Sequence, residues 1–319
     1  MSDITDPRQD SLWLFRPLFA ILLAMISLLA TTGCVSTNLA PISVHGAAYE
    51  PLPDEIELWQ ATREEEDLLL HQVVVYDDPA LQDYLDQLVA RLESPGMAAN
   101  REVRCHVTVL DDPTLHAFAF PHGAIYIHSG LLAQAQTEDH VAAILAHEMV
   151  HIENRHRARH ERARWNRMLP IGVLTLGAAL ALVDGEADYA EDCIDDEADI
   201  PDELADEVFE FGLKLATRVS ARGYGRRLER EADEGMVAKL RATGYDITRV
   251  VAFYDRLQGL TDLDRQPPSL AHGLGSDMAR RWQALKKLEL PAAAASTEPI
   301  LDPPALDRLV RRMRGDRPL

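Results

Sequence analysis

The chain has 319 residues, 47% hydrophobic and 26% charged, which is the composition of an ordinary globular protein long enough to bury a sizeable core. A net charge of −20 argues against nucleic acid as a partner, because phosphate-binding surfaces are basic. Three cysteines are too few for a disulfide framework, and the sequence leaves open whether Cys105 and Cys193 pair.

The first 33 residues read as a targeting segment. Residues 1–16 are polar and end in Arg16, Pro17 to Ala30 is uncharged and apolar, and Thr31, Thr32 and Gly33 precede Cys34. A charged start, a short apolar core and small residues before a cysteine describe an export signal. The Gly33-Cys34 pair also resembles a bacterial lipoprotein processing site. That resemblance implies cleavage before Cys34, a lipid anchor on that cysteine and, with Val35 following it, sorting to the periplasmic face of the outer membrane. The alternative is an uncleaved anchor, since Pro17 to Tyr49 is uncharged and can supply the roughly 20 residues a span needs. On either reading the globular part is exported and membrane-tethered.

Residues 34–55 have no helical period and read as a membrane-proximal spacer. Asp78-Pro79 then opens a helix: Asp caps, Pro suits the first turn, and Leu81, Tyr84, Leu85, Leu88, Val89 and Leu92 form an apolar stripe that ends at Ser94-Pro95-Gly96. Val103, Cys105, Val107 and Val109 alternate with polar residues as in a half-buried strand, and two β-like runs follow at His116–Phe120 and Ala124–His128. Thr137-Glu138-Asp139 caps the next helix, whose apolar positions are Val141, Ile144, Leu145 and Ile152. Residues 168–183 carry no charge but are too few to span a bilayer, so a buried or membrane-contacting helix is predicted there. The stretch 184–208 holds thirteen Asp or Glu without Lys or Arg and lacks EF-hand spacing, so it reads as a solvated acidic insertion. Helices are predicted over Arg226–Arg241, ended by Gly244, and over Asp246–Leu260. Residues 291–319 are a linker and a basic tail, too short for tetratricopeptide repeats.

The chemistry is concentrated in His147-Glu148-Met149-Val150-His151. On a helix, residues four apart share a face, so both imidazoles can reach one metal ion while Glu148 is placed to contact an activated water. A catalytic zinc needs a third protein ligand and an open position. Glu229 in Glu229-Arg230-Glu231-Ala232-Asp233 is the best candidate; Glu229 and Asp233 share a helical face, so one can ligate while the other supports the site. His128, His140, His156 and His160 read as strand, helix-face or basic-surface residues.

The helix Leu145–His156 resembles the active-site helix of HtpX- and BepA-like zinc metallopeptidases, metallopeptidase family 48. Gly225-Arg226-x-x-Glu229-x-x-Ala232-Asp233 resembles their second signature. His116–Gly123 with Gly130-Leu131-Leu132 resembles their strand and Gly-Leu-Leu turn, with His122 in place of a glycine that could narrow the cleft. The resemblance implies an α+β fold, a mostly helical zincin-type domain over 56–290 with a small sheet beside the metal helix. It also implies one zinc per subunit on His147, His151 and Glu229, Glu148 as general base, and Asp233 as a partner of a ligand histidine or a proton donor. His272 resembles a downstream histidine that approaches the zinc or the oxyanion, with Gly273 in place of the usual proline.

The function so implied is a zinc-dependent endopeptidase of the bacterial envelope. Its expected substrates are unfolded or misassembled envelope polypeptides, with the strand Ala124–His128 able to pair with substrate backbone. Two other classes compete: an envelope chaperone or assembly factor whose metal site is gated by His272 or the 184–208 loop, and a lipoprotein with a closed structural zinc.

Overall fold

Prolines and their capping partners punctuate the first half of the chain. A computed structural model describes residues 35–166, 226–263, 298–300 and 303–313. Cys34, Cys193, His272, the uncharged 168–183 stretch and the acidic 184–208 stretch lie outside the described residues. The chain divides into two units, 39–158 with 202–319, and 1–38 with 159–201. In the first unit the elements are α1 (Ile42–His45), α2 (Pro53–Gln72), α3 (Pro79–Leu92), α4 (Pro95–Ala99), β1 (His106–Leu110), β2 (Ala117–Ala119) and β3 (Ala124–His128). They continue with α5 (Ser129–Leu132), α6 (Glu138–Glu153), α7 (Arg226–Thr243), α8 (Ile247–Leu263) and α9 (Pro303–Met313). The predicted α+β class is what the structure shows: mostly helix with one small sheet.

Proline stands at the first turn of α2, α3 and α4, where its missing N–H costs nothing. The orphan donors around these starts are taken up by side chains. Asp78 accepts from Ala80 N at 3.1 Å and Leu81 N at 3.2 Å, Ser94 accepts from Met97 N, and Glu55 accepts from Leu52 N at 2.9 Å. Ser94-Pro95-Gly96 therefore ends α3 and also starts α4. The spacer expected over 34–55 is not what forms beyond Leu39: Ile42, Tyr49 and Glu55 are all buried. The pieces that hold Ile42 and Tyr49 are too short to show a period, and Glu55 lies in the first turn of α2.

The three strands are ordered β1-β3-β2, with β3 parallel to β1 and antiparallel to β2. The outer edge of β1 is covered by residues 74–76, through Tyr76 N to Val109 O at 2.8 Å and Asp111 N to Val74 O at 2.7 Å. Glu66 of α2 ties the hairpin down. It accepts from Tyr126 Oη at 2.6 Å and lies 2.8 Å from His122 Nε2.

Helix α6 is the centre of the unit, and all sixteen of its residues are buried. It packs against α7, α8, α3 and the sheet. A helix buried all round is normally apolar, so each of its charged ends requires a partner. Glu138 receives Arg91 Nη1 at 3.1 Å, Tyr245 Oη at 2.8 Å and Ile300 N at 2.8 Å. Asp139 receives Asp246 N at 2.8 Å and Arg249 Nη1 at 3.1 Å. At the other end Lys239 Nζ stands 2.6 Å from Glu153. Thr137 occupies the cap position but makes no side-chain cap hydrogen bond, so the predicted threonine cap does not form. The two acids clamp α8 and the 298–300 segment to the start of α6.

Helix α7 ends as Gly244 allows. Gly244 has φ +80°, in the left-handed region open to glycine, and Tyr245 N reaches back to Leu240 O at 2.9 Å. Among the described residues no helix is long and apolar enough to cross a membrane. Cys105 is a thiol whose pKa is pushed up to about 12, by burial first and then by the Glu93 carboxylate.

His140 gives a pH test of this core. Its ring stacks on Phe253 with centroids 4.5 Å apart, and its Nδ1 accepts from Gln136 N at 3.0 Å. Burial, then the Arg256 charge, lowers its pKa to about 4 despite Asp139. The unfolded chain takes up this proton near pH 6.5 and the folded chain near pH 4. The stability His140 contributes is thus complete above about pH 6.5 and is lost as pH falls towards 4. Urea midpoints should fall over that window, and His140→Gln, which keeps an acceptor without a charge, should flatten the fall. An equal slope in the two proteins would contradict the assignment.

Candidate metal centre

Two imidazoles from α6 and a carboxylate from α7 converge on one point. His147 and His151 stand one helical turn apart with their Nε2 atoms 3.0 Å from each other. Glu229 Oε2 lies 3.6 Å from His147 Nε2 and 3.9 Å from His151 Nε2. Ligand atoms of these three residues all fall within 4.8 Å of one another. Donor atoms around a tetrahedral zinc stand about 3.3 Å apart, and two imidazoles with one carboxylate are a zinc donor set, so these residues fit the ion.

The contact that brings Glu229 there is made two turns along α7. A Cβ at Gly235 would stand 2.7 Å from Val150 Cγ1 and 2.9 Å from Cγ2, so only glycine lets the two helices approach so closely at that point. Leu228, Ala232, Met236 and Leu240 bury the apolar face of α7. Glu229 and Asp233 extend that face over the histidines.

The other nitrogen of each imidazole is also held. Asp233 Oδ1 lies 3.2 Å from His147 Nδ1, as the spacing of Glu229 and Asp233 suggested. His156 Nδ1 lies 3.0 Å from His151 Nδ1. If both Nε2 atoms face the ion, both Nδ1 atoms carry protons and must donate them. Asp233 then accepts from His147 and His156 Nδ1 accepts from His151. This fixes the proton of neutral His156 on Nε2, which looks towards Glu231 Oε1 at 3.7 Å.

His156 was read from the sequence as a surface or helix-face residue, and the structure overturns that: it is fully buried against a ligand histidine. The reason is a break in the helix. Arg155 adopts φ +56°, a left-handed conformation unusual for a non-glycine residue. Its guanidinium is gripped by both oxygens of buried Glu55, donates to Ala40 O at 3.3 Å and sits 5.5 Å from the Tyr49 ring centroid. A helical stretch resumes at 156 with the histidine turned inward. The five-residue separation of His151 and His156 was the available signal, and it looked wrong for one continuous face.

Glu148 follows His147 on α6 and is buried like its neighbours. His122 is buried, 2.8 Å from Glu66 and stacked on Phe120, which with Trp59, Pro121 and Arg155 lines a small cavity beside His151. The expected substrate strand is also corrected. Ala124–His128 is the central strand and both its edges are taken, whereas β2 packs beside α6 with its outer edge unpaired among the described residues.

A buried two-histidine helix, a second helix delivering a carboxylate and a small sheet with its edge strand alongside define a zincin-type metallopeptidase domain. The profile of Peptidase family M48 matches residues 78–302. The chain belongs to Peptidase family M48. It is 30% identical over 233 residues to a Vibrio cholerae protein provisionally named beta-barrel assembly-enhancing protease, covering 69% of this chain and 43% of that one. It is 25% identical over 196 residues to the beta-barrel assembly-enhancing protease of Escherichia coli, covering 61% and 36% of the two. It is 28% identical over 151 residues to the mitochondrial metalloendopeptidase OMA1 of Schizosaccharomyces pombe, covering 47% and 36%. The chain thus spans less than half the length of these relatives.

The outer partners make a measurable claim. His156→Ala should weaken zinc binding by about 10–100-fold while leaving the saturated stoichiometry unchanged, read by competition with a chromophoric chelator. Wild-type affinity in that variant would contradict a positioning role.

Proposed function

We propose that the chain is a zinc-dependent endopeptidase of the bacterial envelope, tethered to the membrane and acting on unfolded or misassembled envelope proteins. The observation that carries the reading is the convergence of His147 Nε2, His151 Nε2 and Glu229 Oε2, one donor set from two helices. A zinc ion held there would supply a Lewis acid for the scissile carbonyl and lower the pKa of water towards about 7.

The chain's own residues account for the rest. The Glu148 carboxylate takes a proton from the attacking water as the C–O bond forms, and passes it to the amide nitrogen as the C–N bond breaks. Asp233 holds the proton of His147 on Nδ1 and so keeps Nε2 turned to the ion; His156 does the same for His151. The unpaired edge of β2, beside α6, is suited to an extended polypeptide, because an added strand satisfies its backbone groups whatever the side chains. Such a mode selects for unfolded segments, which agrees with a quality-control role. The export segment at residues 1–33 and the names of the bacterial relatives support an envelope location. The Gly33-Cys34 pair supports a lipid on Cys34 and the periplasmic face of the outer membrane.

One observation favours the second reading, a gated site in an assembly factor. His147, His151 and Glu148 are each less than a tenth exposed, so a substrate must open a way to them. Activity separates the two. Glu148→Gln should retain one zinc per chain while cleavage of a casein-like substrate falls at least about 100-fold. Chelation should abolish cleavage by the wild type without unfolding it, and added zinc should restore it. Cleavage undiminished in the Glu148→Gln variant would overturn the enzyme reading, and unfolding on chelation would indicate a structural zinc.

A further inference from the structure

In the second unit, the described residues 35–38 and 159–166 are joined by a backbone clamp. Asn166 Oδ1 accepts from Val35 N at 2.9 Å, and Asn166 Nδ2 donates to Val35 O at 2.8 Å, across 131 residues of sequence. Arg162 Nη1 adds a bond to Ser36 O at 2.9 Å. The amide of Asn166 thus treats Val35 as a neighbouring strand would, satisfying both of its backbone groups.

Beside this clamp the surface is amphipathic. Trp165 is 59% exposed, although a tryptophan normally buries most of its ring, and Val35 is also exposed. Arg164 has a side chain 46% exposed, with Nη1 3.5 Å from Glu161. Arg164 and Trp165 directly precede Asn166, which holds Val35. An exposed indole, a guanidinium and an aliphatic residue so gathered are the composition of surfaces that rest at the level of lipid headgroups, where the ring enters the boundary and the cation stays with the phosphates.

Two uncharged runs of sequence flank it. The apolar run 17–30 ends five residues before Val35, and the uncharged run 168–183 begins two residues after Asn166. The clamp therefore joins a residue shortly after the first run to one shortly before the second. Five residues of extended chain reach at most about 18 Å. An anchor in residues 17–30, or a lipid on Cys34, keeps Trp165 near the bilayer in either case.

We propose that Trp165, with Arg164 and Val35 around it, is a membrane-contact patch resting on the bilayer surface that holds the N-terminal anchor. The proposal rests on the membrane-tethered reading given above. Asn166 is the positioning residue, because it fixes the patch to the first residue after Cys34.

The test uses the full chain reconstituted in vesicles of phosphatidylethanolamine and phosphatidylglycerol, with and without dibromo acyl chains. Emission of Trp165 is obtained as the difference between the wild type and Trp165→Phe, with flotation measured on the same samples. Membrane contact predicts that this difference emission is blue-shifted and is quenched by the brominated lipid. Asn166→Ala should float equally well yet lose much of the quenching. A chain that floats with unquenched Trp165 emission overturns the patch and leaves the tether standing, the result expected if Trp165 instead faces another protein. A chain that does not float overturns both.

Discussion

The approach of α7 to α6 at Gly235 is the constraint on which the site depends. The two helices are far apart in sequence, and neither can assemble a three-donor centre alone. Val150 lies between the two ligand histidines, and it is the side chain that a Cβ at position 235 would strike. The distance between the helices is therefore set within the same turns that carry the chemistry. Glu229 reaches both Nε2 atoms, and Asp233 reaches the far side of His147, because both leave the face of α7 that this contact aims at α6.

A fully buried α6 makes the arrangement costly to build and stiff once built. Polar groups enclosed in protein need partners, and a buried ion pair that loses one member typically destabilises by several kcal/mol. Here the partners come from each of the helices packed around it: Arg91 from α3, Tyr245 and Arg249 from the α7–α8 turn and α8, Lys239 from α7. Beyond its C-terminal end, Arg155 is held left-handed by Glu55. Burial, then the Glu55 carboxylate, pushes the Tyr49 phenol well above its usual range, so Tyr49 remains a donor beside that pair. The residues that hold α6 in place thus also hold its histidines, which is the rigidity a metal centre needs.

Much of this was legible in the sequence. The long periodic helices α3, α6 and α7 and the three strands follow from apolar spacing and from proline, serine and aspartate punctuation. Two four-residue spacings put His147 with His151, and Glu229 with Asp233, on shared helix faces; the family resemblance singled out Glu229, and the structure brings it to the two histidines. What was hidden had non-local causes. Residues 42–49 form pieces too short for a period, and they pack against α4 and beside Arg155. His156 looked peripheral because the pattern assumes a continuous helix, and the break at Arg155 is stabilised by Glu55, a hundred residues earlier. Strand order was equally non-local: alternation identifies Ala124–His128 as a strand but cannot say that it lies in the middle of the sheet, leaving β2 at the free edge.

Membership of Peptidase family M48 and the geometry of the two helices lead to the same claim, that His147, His151 and Glu229 surround one zinc. The most direct measurement is zinc K-edge X-ray absorption on the purified chain loaded with one equivalent of metal. The account predicts two imidazole nitrogens and oxygen donors near 2.0–2.1 Å with no sulfur, and loss of one oxygen contribution or of the metal itself in Glu229→Gln. A sulfur shell, three or more imidazoles, or a spectrum unchanged by Glu229→Gln would contradict it.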